Sequence, residues 1–160
     1  MRLQRIDHVG YAVEDLEDSI RYHQRLYGAE VTHREEIERD GVREALLAIG
    51  PSFIQLLEPT RADSPVARFL ERHGPGVHHI GYGVADVAAT LEDLRRLGVR
   101  LVDDHPRPGS RGCTVAFLHP KDAMGVLIEL VEDPTLELSD GYSVTSAEPA
   151  SCTEEQQRKR

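Results

Sequence analysis

The chain has 160 residues, with 28 Asp and Glu against 19 Lys and Arg, for a formal net charge of −9. That length suits one ordinary domain able to bury a core without disulfide staples, and 39% hydrophobic with 29% charged residues is a globular composition. The acidic balance argues against nonspecific nucleic-acid binding, no apolar run approaches the roughly 20 residues of a membrane span, and a lone pair of cysteines, Cys113 and Cys152, excludes a disulfide framework or a thiolate zinc cluster.

The first five residues, Met1 to Arg5, lack the apolar stretch of a secretory signal, so a cytoplasmic protein is expected. Residues 8–16 read H-V-G-Y-A-V-E-D-L, a strand ending at the helix cap Asp15. Leu16, Ile20, His23 and Tyr27 then fall at helical spacing before a glycine stop at Gly28. Residues 29–37 alternate in the strand manner, 42–49 follow the turn Asp40-Gly41, and 54–58 (I-Q-L-L-E) form a further strand. In the linker, Ser64-Pro65 opens a short capped helix.

Residues 79–87 read H-I-G-Y-G-V-A-D-V, matching the first stretch at five of nine positions. Asp86 caps the next helix, in which Val87, Leu91 and Leu94 are spaced before Gly98. Residues 99–102 and 113–118 are strand-like on either side of the Pro/Gly-rich loop 105–112, and 128–132 (I-E-L-V-E) answers 54–58. Both halves thus carry the same order, which predicts a duplicated βαβββ module in an α+β domain over 1–133. Module one runs from about 5 to 73 and module two from about 74 to 133. The polar remainder, 134–160, is expected to be a flexible tail.

His8, Gln55, His79 and Glu129 stand at repeat-equivalent points in apolar strands, where an unpaired polar group costs ~1–3 kcal/mol. Two imidazoles and two oxygen ligands suit one divalent ion of the Zn, Co, Mn, Ni or Fe kind. The competing possibility is a buried hydrogen-bond network between the two halves. In a regular strand, His78 points away from His79 and is the weaker candidate.

The stretches Ile6-Asp7-His8-Val9-Gly10, Leu56-Leu57-Glu58-Pro59 and Gly76-Val77-His78-His79-Ile80 resemble the vicinal oxygen chelate superfamily. Within it, Gly41-Val42-Arg43-Glu44-Ala45, Phe117-Leu118-His119-Pro120-Lys121 and Gly125-Val126-Leu127-Ile128-Glu129-Leu130 are closest to methylmalonyl-CoA epimerases. The resemblance implies two tandem βαβββ modules forming one cupped mixed sheet, a homodimer, and one divalent metal ion held by His8, Gln55, His79 and Glu129. It implies an acyl-CoA substrate, epimerised at C2 through a metal-chelated enolate with Glu44 and Glu129 as acid/base groups.

One departure is the loop Gly109-Ser110-Arg111-Gly112, where many relatives carry Gly-Ala-His-Gly; substrate contacts are expected to differ there. Arg107, Arg111 and Lys121 lie in or beside the second-half loops and are candidate cations for an anionic substrate. Competing functions on the same scaffold are a glyoxalase I-type isomerase, a ring-cleaving dioxygenase and a metal-free ligand-binding protein. Retention of all four polar ligand positions favours a metal enzyme, and Gln55 as a fourth ligand disfavours the dioxygenase.

Overall fold

The computed structural model describes residues 2–135. Module one comprises β1 (Arg5–Ala12), α1 (Leu16–Tyr27), β2 (Val31–Ile37), β3 (Val42–Ile49) and β4 (Ser52–Pro59). After α2 (Pro65–His73), module two supplies β5 (Gly76–Gly83), α3 (Val87–Arg96), β6 (Arg107–Pro108), β7 (Thr114–Leu118) and β8 (Leu127–Glu132). Among the described residues, no helix is long and apolar enough to cross a membrane. The predicted tail, 134–160, falls almost wholly outside the described residues.

The eight strands form one mixed sheet in the order β2-β3-β4-β1-β5-β8-β7-β6. Each module is laid out identically from the centre outwards, and the first strands of the two modules, β1 and β5, pair antiparallel at the join. The parallel pairs β1/β4 and β5/β8 mirror each other across that join. The duplication in sequence is therefore a pseudo-two-fold in space.

Local signals set the helices. Asp15 accepts from the Asp18 amide at 2.7 Å and Asp86 from the Ala89 amide at 2.8 Å, satisfying donors that open α1 and α3. The last glutamate of each repeated strand motif completes the caps. Glu58 accepts from the Leu16 amide and Glu132 from the Val87 amide, both at 2.9 Å. Strand to helix closure is thus built into I-Q-L-L-E and I-E-L-V-E themselves.

Period-two alternation sorts the strand side chains between two faces. Ala45, Leu47 and Leu56 pack outward against Leu16 and Ile20 of α1, and Ile128 and Leu130 against Leu91 and Leu94 of α3. Glu44, Gln55 and Glu129, each displaced by one residue, face the opposite side and line a cavity. Coverage on both faces explains why these strands read as nearly continuous apolar runs.

Two expectations are corrected. Residues 99–102 form only an isolated bridge, Leu101 to Leu118, and the edge strand β6 lies inside the predicted loop 105–112. The Asp103 carboxylate takes the Phe117 amide at 3.0 Å, ending the ladder that Val102 begins. Of the residues at helical spacing in α1, Leu16 and Ile20 are buried, whereas Tyr27 at the last turn is exposed beside Tyr22 and His23.

Candidate active site

The register of the central strands brings the four predicted ligands together. His8 lies opposite Gly81, and Gly81 opposite Glu129 on the next strand. Gly10 likewise stands between His79 and Gln55. Each imidazole therefore crosses a glycine to reach the middle of the cup. A Cβ on Gly10 would stand 2.4 Å from His79 Cε1, and one on Gly81 would stand 2.4 Å from His8 Cε1. The H-x-G spacing in each repeat is the sequence mark of this crossing, made necessary by the other half's histidine.

The donor atoms converge. His8 Nε2 is 2.9 Å from His79 Nε2 and 2.9 Å from Glu129 Oε2, and His79 Nε2 is 3.2 Å from the same oxygen. Gln55 uses its Nε2 to donate to Glu44 Oε2 at 2.7 Å. Its Oε1 is buried and has no hydrogen-bond partner, an orphaned lone pair of the kind a cation would satisfy. Two imidazole nitrogens, one carboxylate and one amide oxygen fit a borderline divalent ion.

Electrostatics separate the two glutamates. Burial holds the Glu44 carboxyl above its ordinary range, against the opposing hydrogen bond from Ser110. Burial also acts to raise Glu129, but hydrogen bonds to His79 and His8 outweigh it and hold Glu129 well below the usual carboxylate range. For His8, burial favours the neutral ring, yet the Asp7 and Glu129 carboxylates prevail and push its pKa up to about 9. The cluster thus carries protons that a metal ion would release on binding.

A profile of the Glyoxalase/Bleomycin resistance protein/Dioxygenase superfamily matches residues 7–117. The ethylmalonyl-CoA/methylmalonyl-CoA epimerase of Cereibacter sphaeroides is 38% identical over 128 residues, covering 79% of this chain and 96% of its own. The human mitochondrial methylmalonyl-CoA epimerase is 36% identical, covering 80% of this chain and 73% of its own. A solved Streptomyces coelicolor methylmalonyl-CoA epimerase, in complex with 2-nitronate-propionyl-CoA, superposes with a TM-score of 0.83 at 49% identity, covering 85% of this chain and 99% of that one. The Mycobacterium tuberculosis enzyme gives 0.79 at 42% identity, covering 81% and 88%.

The chain belongs to the methylmalonyl-CoA epimerase family. It is an isomerase.

Sequence reasoning missed several residues of this epimerase-family site. Asp7, fully buried, contacts His8 Nδ1 at 3.0 Å; a carboxylate in an apolar strand was the available signal. His78, expected on the opposite face, instead contacts His79 Nδ1 at 3.0 Å, because β5 is irregular there. Ser110, in the departing loop, donates to Glu44 Oε1, and lies 3.2 Å from Glu35 Oε2; no sequence signal joins these elements. Glu35, also unpredicted, accepts the Arg111 amide at 3.2 Å.

Two of the candidate cations are engaged internally. Arg107 reaches Asp40 and Asp103, each at 3.1 Å, and Arg111 reaches Asp7 at 2.7 Å and lies 4.7 Å over the Phe53 ring. Both therefore tie the second-half loop to the cup. Lys121 is exposed outside the cavity lining.

Proposed function

We propose that this protein epimerises methylmalonyl-CoA at C2, taking a proton beside the thioester carbonyl from one face and returning one to the other. The observation that carries the reading is Glu44, a carboxylate 1% exposed at the wall of the cavity that also holds the His8, His79 and Glu129 donors. Apart from those donors the cavity is largely apolar, which preserves the basicity that burial confers.

Glu44 acts as the base. Gln55 and Ser110 hold its two oxygens, so the proton is accepted at an atom whose position is set before substrate arrives. Glu129, on the strand from the other module, is the second acid/base group, its Oε2 lying 2.9 Å from His8 Nε2 and 3.2 Å from His79 Nε2. Groups from opposite halves of the cup are what inversion at a planar carbon requires.

His8, Gln55, His79 and Glu129 would hold one divalent ion, with Co, Mn, Zn and Ni as the leading identities. When bound, such an ion supplies Lewis-acid stabilisation of developing negative charge, worth several kcal/mol. Gln55 links the two functions, because the amide whose unpartnered Oε1 would serve the ion donates from Nε2 to the base.

Substrate size supports a short acyl group. The cavity is about 170 Å³, below the ~300–1,000 Å³ of sites that enclose whole drug-sized ligands, so it suits the acyl end with the CoA body outside. Solved relatives bind methylmalonyl-CoA or 2-nitronate-propionyl-CoA. The proposal includes a homodimer, which sedimentation equilibrium would report.

The deciding experiment is deuterium incorporation at C2 of methylmalonyl-CoA in D₂O. Fast exchange that is lost on metal stripping and restored by a divalent ion is expected. No exchange from metal-loaded protein would refute the assignment.

A further inference from the structure

Each predicted ligand histidine is preceded by a polar residue sitting at a break in strand register. β1 pairs Ile6 with Tyr82 and His8 with Gly81, so Asp7 has no opposite number. β5 pairs His79 with Gly10 and Val77 with Tyr11, so His78 has none either. These pseudo-symmetric bulges bring a residue that pleating would send to the far face beside its neighbour instead.

Both bulged side chains meet a ligand ring at the same atom. Asp7 Oδ1 is 3.0 Å from His8 Nδ1, and His78 Nδ1 is 3.0 Å from His79 Nδ1. An imidazole that offers Nε2 to an ion must keep its proton on Nδ1, and that proton needs a buried acceptor. We infer that Asp7 and His78 are paired positioning residues, accepting Nδ1–H from His8 and His79 and so fixing the tautomer that leaves both Nε2 atoms available to a divalent ion. This inference rests on the metal reading of the proposed function.

The two acceptors differ in kind. Asp7 is an anion, itself gripped by Arg5 and by Arg111 at 2.7 Å, and Arg111 continues to Asp133 at 3.4 Å. His78 is half-buried with the Phe69 ring edge-on at 5.1 Å, and as an acceptor at Nδ1 it is a neutral imidazole with its proton on Nε2. Charge-assisted hydrogen bonds are about twice as strong as neutral ones, so His8 is the more firmly anchored ligand. The departing loop contributes here too, through Arg111.

The test uses cobalt(II), titrated against a competing chelator and followed by its visible absorption. His78→Phe, which removes the acceptor, is expected to weaken cobalt binding ~10–100-fold. His78→Gln, which keeps an oxygen acceptor, should stay within a few-fold of wild type, a rescue that a purely structural role does not predict. Asp7→Asn keeps an acceptor but not the charge and should fall between them. Long-range proton–nitrogen NMR of the zinc-loaded wild type should show Nδ1 protonated on both His8 and His79, whether or not the variants fold. Protonation at Nε2 of either ring, or a folded His78→Phe protein with wild-type cobalt affinity, overturns the inference alone. Wild-type protein that binds no cobalt overturns the metal reading with it.

Discussion

Gly10→Ala is a small change with a large expected effect. The new methyl would sit 2.4 Å from His79 Cε1, 2.6 Å from Nδ1 and 2.8 Å from Nε2, whereas carbon pairs settle at ~3.5–4.0 Å. Gly10 lies inside β1, hydrogen-bonded on both sides, so the backbone cannot retreat and the ring must move by about 1 Å. Metal–ligand distances tolerate only about ±0.2 Å, so His79 is lost as a ligand rather than merely strained. Overpacking of this kind costs ~1–3 kcal/mol, and at ~2–4 °C per kcal/mol for a chain of this size the melting point falls by ~2–12 °C. Differential scanning calorimetry and metal stoichiometry after dialysis check both consequences. Gly81→Ala should behave alike through His8, while Gly76→Ala, whose added Cβ meets nothing within 4 Å, is the control. A Gly10→Ala protein with wild-type stability and a full metal complement would refute the reasoning that this glycine exists to admit the ring.

Glu44→Gln should retain fold and metal while C2 exchange falls ~10²–10⁴-fold, and unchanged turnover in that variant would remove Glu44 from the mechanism. Burial raises Glu44, so its basic form disappears as pH falls through a value above the ordinary glutamate range. The acid limb of kcat/KM should therefore lie above that range, and steady-state rates across pH report it. For His8→Ala, the measured change should be metal content itself, and a full complement by elemental analysis would contradict its role as a ligand. Wild-type protein at an ion concentration of about 100 Kd should gain ~2.7 kcal/mol. That corresponds to ~5–11 °C in melting temperature, and a thermal scan before and after chelation measures it.

Much of the site was legible because the chain states its plan twice. H-V-G and H-I-G mark the inner strands, Asp15 and Asp86 the helix starts, and Gln55 and Glu129 the last strand of each module. The register places all four on the same side of the sheet, as equivalent positions in a duplicated unit must be. The proposed base was different: Glu44 has no counterpart in the repeat, and only the family resemblance pointed to it. Its burial, and its contacts with Gln55 and Ser110, become visible only once β3 and β4 pair and the loop of module two folds over them.

The order of elements apart from the edge strand β6, the helix caps and the inward or outward sense of regular strands follow from local chemistry and from a period of two, so residue order alone determined them. The bulges at Asp7 and His78, the passage of each histidine over the opposite half's glycine, and the closure of Ser110 and Arg111 onto module one did not. These depend on where one strand breaks register against a partner some 70 residues away, and no local pattern encodes that offset. Tertiary packing decided them, because a buried carboxylate or imidazole is stable only where another part of the chain arrives with its hydrogen-bond partner.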